Sequence, residues 1–339
     1  MTAVQVSNFP AMPPHITNIA AMIETAEKHP PKAVITGLFN EHEIVGLHGP
    51  REVFKTMLCL ELAEAIASGV PFVGTWKVPQ ARSVYLLETE MSPEAVGERL
   101  RRMYAVRRMP SGVYFASKSE LRCFRRAVGL DKKFQLLNSW VNDCGAEVVI
   151  IDTANPFFRG KESANEEAHV GHFFDLLEAA PGILKIFVRH DRKPRLEDAL
   201  SDSAEHIRGS SQFGDVPDAL FQITRKDKRI NEAVLSITKF RHGDRPPDVP
   251  LWFDVTDFRL ISIPPVVYLL LREPLTRQQL LAALDKRFHV SARSGDSMIS
   301  AESPFLIQKM IGHERAFQID WIAAKDAPWF AKVTEGYGG

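Results

Sequence analysis

From Glu43 onward, apolar runs of four to six residues alternate with longer helical stretches. The order is EIVGL, a helix over 55–68, SVYLLE, a helix over 93–108, EVVIID, a helix over 166–179 and LKIFVRH, then DALFQI and AVLSITKF. Strands that are apolar throughout, separated by helices, can be buried only as a largely parallel sheet covered on both faces. The pattern therefore predicts an α/β fold. The last two strands, joined by the charged turn 225–231, predict an antiparallel hairpin on the edge of that sheet.

Three stretches follow from this core. Residues 1–32 form an N-terminal extension, proline-rich at first and then an amphipathic helix over 16–28 with Ile16, Ile19, Ala20 and Ile23 on one face. Residues 33–261 hold the α/β core. A change of pattern near Ser262-Ile263-Pro264-Pro265 opens a smaller, mainly helical domain over 262–339, with helices expected over 266–272, 276–288 and 304–311 and a terminal hairpin. That last segment is compatible with a winged-helix module and equally with a helical cap on the core.

Composition narrows the partners. Lys plus Arg and Asp plus Glu both number 42, which excludes a chain coated in positive charge; any nucleic-acid contact must come from a local patch. Cys59, Cys123 and Cys144 are odd in number and show no metal-ligand spacing, so they are expected to be buried thiols in a reducing compartment. No apolar run approaches the ~20 residues that span a bilayer. A cytoplasmic protein without membrane contact is expected.

The strongest local feature is Gly49-Pro50-Arg51-Glu52-Val53-Phe54-Lys55-Thr56, set between a buried strand and a helix. A phosphate-binding loop needs backbone N–H groups turned inward at the positive end of a helix, a lysine for the β- and γ-oxygens and a hydroxyl for Mg²⁺. Lys55 and Thr56 supply the two side chains. Phe54 and Glu52 stand where glycine is usual. Three more strand ends carry polar groups. SVYLLE leads to Glu90, a candidate base for water; EVVIID ends in Asp152, suited to Mg²⁺; LKIFVRH ends in His190, able to sense a γ-phosphate.

Taken together, GPREVFKT, LLETEMSPEAVGERL, VVIIDTANPF, VRHDRKP, RGSSQFGDVPDALFQI and KFRHGD resemble the RecA-fold hexameric ATPases of the RepA replicative helicase type, over about residues 33–255. The resemblance implies a RecA-like P-loop ATPase core using ATP and Mg²⁺, with Glu90 as catalytic base, Thr56 and Asp152 at the metal, and His190 as γ-phosphate sensor. It further implies Lys239 and Arg241 as fingers inserted into a neighbouring subunit's site. Arg189 departs from the histidine often found before the sensor. In such rings two loops face the channel, here carrying Arg159 and Lys161, and Arg192, Lys193 and Arg195. A basic channel of this kind suits single-stranded DNA. The expected protein is a homo-hexameric, ATP-driven DNA translocase or helicase of plasmid or phage replication, with a replication-initiation partner. The alternative is a regulatory or loading ATPase in which nucleotide acts as a switch with little turnover.

Overall fold

The computed structural model describes residues 18–105, 107–158, 163–191, 207, 209–225, 231–311 and 314–334. The chain opens with helix α1 (Ile19–Lys28), none of whose residues is buried, and a small hairpin of β1 (Ala33–Ile35) and β2 (Phe39–Asn40). The core then follows as β3 (Glu43–Gly49), α2 (Lys55–Ser68), β4 (Val84–Glu88) and α3 (Pro93–Met103). Next come β5 (Val113–Phe115), α4 (Lys118–Arg126), α5 (Leu130–Cys144) and β6 (Val148–Asp152). It continues through α6 (Glu167–Ala179), β7 (Leu184–His190), the single turn α7 (Gln212–Asp215) and β8 (Ala219–Thr224). It closes with β9 (Glu232–Phe240), β10 (Val249–Asp254) and β11 (Arg259–Ile261).

Nine of these strands form one sheet in the order β11-β10-β9-β8-β3-β7-β6-β4-β5. β3 to β8 are mutually parallel and the last three run antiparallel. The expected α/β fold with a mostly parallel sheet is what the chain adopts. Alternate residues of each central strand feed two apolar layers. Val45 and Leu47 pack with α2 on one face; Phe187 packs with Phe134 of α5 and Phe173 of α6 on the other.

The hairpin of β8 and β9 is not at the edge, because β10 and β11 extend the sheet beyond it. Sequence patterning passes over β10 because Pro250 interrupts it; the strand tolerates proline because β11 pairs only with Trp252–Asp254, leaving Pro250 unpaired on that side. A second correction concerns the thiols. Cys59 is buried, but Cys123 on α4 is exposed.

The remaining elements share a third core around Val266, Leu280, Leu284, Phe288 and Ile319. They run α8 (Pro265–Leu270), β12 (Leu275–Thr276), α9 (Arg277–Phe288), α10 (Ala292–Glu302), β13 (Leu306–Ile311), β14 (Glu314–Ile319) and the short α11 (Phe330–Lys332). The three strands form an antiparallel sheet in the order β12-β14-β13. The helix expected over 304–311 is thus a strand, and a helix precedes it. Leu306, Ile307, Met310 and Ile311 carry helical spacing only because β13 is half-exposed and shows no alternation.

An ionic cluster joins the two sheets' territories. Arg287 of α9 donates to Asp254 at 2.5 Å and lies 2.6 Å from Asp257, which also accepts from Tyr268 and Arg272 of the C-terminal segment. Burial pushes the Asp257 carboxyl up, but the hydrogen bonds from Tyr268 and Arg272 and the charge of Arg287 outweigh it and hold it below the ordinary aspartate value. A carboxyl held low stabilises the fold fully above its unfolded value, ~3.9, and that contribution is lost as pH falls through the lower folded-state value. Asp257→Asn should therefore cost about 2 kcal/mol at pH 7. Thermal unfolding of both proteins from pH 7 down to 3 should show the gap closing on the acid side; a gap that stays constant with pH would refute the assignment.

Candidate nucleotide-binding site

The loop 49–54 leaves the C-terminal end of β3 and turns back into α2, whose first residue is Lys55. Its first position must be glycine: a Cβ on Gly49 would lie 2.3 Å from the carbonyl oxygen of Ile223 on the adjacent β8. The two departures from the usual pattern take the backbone shape that glycine takes elsewhere, with φ of 63° at Glu52 and 67° at Phe54. An L-residue in this left-handed region costs roughly 1–2 kcal/mol. Phe54 offsets part of it through its ring, which packs 4.9 Å from Phe253 and lies under the guanidinium of Arg225 at 4.8 Å.

Lys55 is buried and its ammonium donates to the loop carbonyls of Gly49, at 2.9 Å, and Pro50. Burial lowers its pKa, while Asp152, Asp191 and Glu90 pull it back up. Thr56, the next residue, hydrogen-bonds to Asp152. Asp152 ends β6 directly opposite Glu88 at the end of β4. Loss of solvent on burial raises both carboxyls, Glu88 to about 8; the charge of Asp152 adds to the rise at Glu88, and that of Glu90 to the rise at Asp152.

Glu88 has little freedom to do more. Its Oε1 accepts from the backbone N–H groups of Glu90 and Met91 at 2.7 and 2.9 Å, fixing the turn that presents Glu90. Glu90 itself is half-exposed. Its Oε1 accepts from the Thr153 hydroxyl at 3.2 Å and lies 3.1 Å from His190 Nε2. The His190 hydrogen bond, foremost, holds Glu90 below the ordinary glutamate value. His190 closes β7 in register with Gly49, so the parallel pairing alone sets sensor and loop side by side. Arg189 before it is buried in the other face, donating to Asn155 at 2.7 Å and stacked over Phe213 at 4.1 Å.

Lys55, Thr56, Glu88, Glu90, Asp152 and His190 therefore line a single cleft of about 440 Å³. Its other wall was not legible in the sequence: Phe253 and Phe258, from β10 and the turn after it, and Arg99 of α3. Lys239 and Arg241 stand elsewhere. They do project together, both donating to the Asp215 carbonyl, but β9 pairs there with the start of β8, at the level of Ile44 on β3. Five residues of strand, roughly 16 Å, separate that level from Gly49. Arg159, Lys161, Arg192, Lys193 and Arg195, the expected nucleic-acid contacts, lie outside the described residues.

A family profile described as an AAA domain matches residues 11–195, more than half of the chain. The chain belongs to the AAA domain family. Among solved structures it is similar to an isolated ATPase domain, at 14% identity and a TM-score of 0.50 over 72% of this chain and 96% of that one. It is also similar to a KaiC-like protein from the hyperthermophilic archaeon Pyrococcus horikoshii OT3, at 13% identity and a TM-score of 0.48 over 68% and 94%. No curated protein matches the chain. The likeness to the solved ATPase domain is one of fold, and the fold of this AAA domain protein is that of a RecA-like P-loop ATPase. Among its described residues no helix is long and apolar enough to cross a membrane.

Proposed function

We propose that the protein is an ATP hydrolase that works as a homo-hexameric translocase or helicase on single-stranded DNA, in plasmid or phage replication together with an initiation partner. The observation that carries the reading is the convergence of four strand ends on one cleft: a lysine and hydroxyl from the loop, an acid beside the hydroxyl, and a glutamate held by a histidine. This is the set that phosphoryl transfer to water requires. The aromatic wall of Phe253 and Phe258 suits the base, and the Lys55 end suits the phosphates.

The acid pocket also fits Mg²⁺. Asp152 Oδ2 and Glu88 Oε2 are buried oxygens without a hydrogen-bond partner among the described residues, and the Thr56 hydroxyl bonds to Asp152. Such hard oxygen donors suit a hard cation. When bound, the ion would supply charge neutralisation at the β- and γ-phosphates, with Thr56 and Asp152 as its protein contacts. Within the chain's own residues, Lys55 draws the phosphate oxygens to the loop, Glu90 orients and deprotonates water, and His190 fixes the Glu90 carboxylate and reads the adjacent phosphate. Lys239 and Arg241, being distant from their own cleft, fit a role in a neighbour's.

Lys55→Ala tests the site itself. ATP binding by calorimetry should fall below detection, a loss of at least ~100-fold, with the fold retained by circular dichroism; undiminished affinity would refute the assignment. The motor reading is tested by the ATPase rate with and without single-stranded DNA, measured alongside native mass. Stimulation in a hexamer supports it. A slow rate indifferent to DNA supports the nucleotide switch instead.

A further inference from the structure

The turn that carries the aromatic wall is also the point where the C-terminal segment grips the core. Phe253 and Phe258 lie edge to face, 5.2 Å apart, on either side of residues 254–257. Asp254, fully buried, uses Oδ1 to accept from the backbone N–H groups of Thr256 and Asp257 at 2.9 and 3.2 Å, which shapes the turn. Its Oδ2 accepts two hydrogen bonds from Arg287, from Nε at 3.1 Å and Nη2 at 2.5 Å. The same guanidinium reaches Asp257, and the Arg287 carbonyl accepts from the Val255 N–H at 3.0 Å. One residue of α9 thus contacts Asp254, Val255 and Asp257, while the two aromatic neighbours of those residues face the cleft.

We propose that Arg287 is a positioning residue for nucleotide binding: from the C-terminal domain it holds the 254–257 turn, and through it the Phe253–Phe258 wall against which the base stacks. This rests on the nucleotide reading above. It adds that base affinity depends on a residue outside the ATPase sheet. From the core side the turn is held separately. Arg102 donates to the Val255 carbonyl at 3.1 Å, Arg107 to the Phe258 carbonyl at 3.3 Å, and Glu61 accepts from the Leu260 N–H at 3.1 Å. Loss of Arg287 should therefore loosen the wall without unravelling β10 and β11.

Lys55, Thr56 and Asp152, the groups assigned to the phosphates, have no hydrogen bond or ion pair with Arg287, whose side chain is spent on Asp254 and Asp257, and that separates a positioning role from a general structural one. Full-length wild type and Arg287→Ala are compared by calorimetry with two probes, the non-hydrolysable AMP-PNP and inorganic tripolyphosphate, each with Mg²⁺. Base stacking on an aromatic face is worth enough that Arg287→Ala should weaken AMP-PNP roughly 5- to 10-fold, with tripolyphosphate changed by less than about twofold. Phe258→Ala should reproduce the selective loss, and the double variant should be no weaker than Phe258→Ala alone, because both act on one wall. Arg287→Lys keeps the charge but not the fork that spans Asp254 and Asp257, so it should rescue only in part.

If Arg287→Ala fails to fold, Arg272→Ala, which leaves Arg287 to neutralise Asp257, is expected to give a smaller loss of the same selectivity. Equal losses on both probes, no loss at all, or additive losses in the double variant would overturn the role of Arg287 while leaving the nucleotide site standing. A wild type that binds neither probe would overturn both.

Discussion

Replacing Glu90 by glutamine should leave ATP binding nearly unchanged and lower turnover by ~10²- to 10⁴-fold, the range for a lost general base. Glu90 is the strand-end carboxylate free to meet water: it is half-exposed, its pKa is held low by His190, and it shares the cleft with Lys55. Glu88 is the competing acid, and its environment argues against it. One of its oxygens is taken by two backbone N–H groups and its proton affinity is pushed up to about 8 by burial, so at neutral pH it is a poor carrier of negative charge. The comparison to make is single-turnover hydrolysis of the two Glu→Gln variants. A large loss in Glu88→Gln with little change in Glu90→Gln would assign the base to the wrong residue.

Arg241→Ala is expected to bind ATP normally and to hydrolyse it about 10³-fold more slowly, the scale of a missing arginine finger. Within one chain Arg241 donates to Asp218 at 3.3 Å and to the Asp215 carbonyl at 2.8 Å, at the opposite end of the parallel strands from Lys55. A local role in its own cleft is therefore excluded by distance, and two readings of Arg241 remain: a contact made in a neighbour, whose loss slows hydrolysis, or a solvated charge, whose loss leaves the rate unchanged. Mixing Arg241→Ala with Lys55→Ala subunits separates them. If the finger acts in trans, some interfaces in the mixture pair an intact cleft with an intact arginine and activity partly returns. No rescue in any ratio, or full wild-type activity from a protein that remains monomeric, would rule the shared site out.

Much of the site was legible because strand ends in a parallel sheet are ordered by chain polarity. Once EIVGL, EVVIID and LKIFVRH are parallel neighbours, Gly49, Asp152 and His190 must come to the same edge, and the α2 boundary at Lys55 follows from the loop before it. Glu90 needed only the turn after β4. What the sequence hid is the opposite wall of the cleft. Phe253 and Phe258 lie about 200 residues from Phe54, in a stretch broken by prolines, and nothing local marks an aromatic as facing a ligand rather than a core. The region 113–144 was hidden for another reason. β5 has three residues, and α4 presents five charged side chains around two buried apolar ones, Leu121 and Phe124, so charge masked its helical period. At the C-terminus, α10 is rich in serine and buries only Gly295 and Ile299, too few to set a stripe.

The left-handed residues in the phosphate loop carry one further consequence. A loop built on several glycines is supple: it explores many shapes and must be frozen when a ligand arrives. Glu52 and Phe54 forgo that suppleness, since each has few conformations open to it and Phe54 is pinned between Phe253 and Arg225. The conformational entropy of the cradle is thus surrendered when the chain folds rather than when nucleotide binds. Such a loop is preorganised, and nucleotide should associate with it by rigid docking rather than by wrapping.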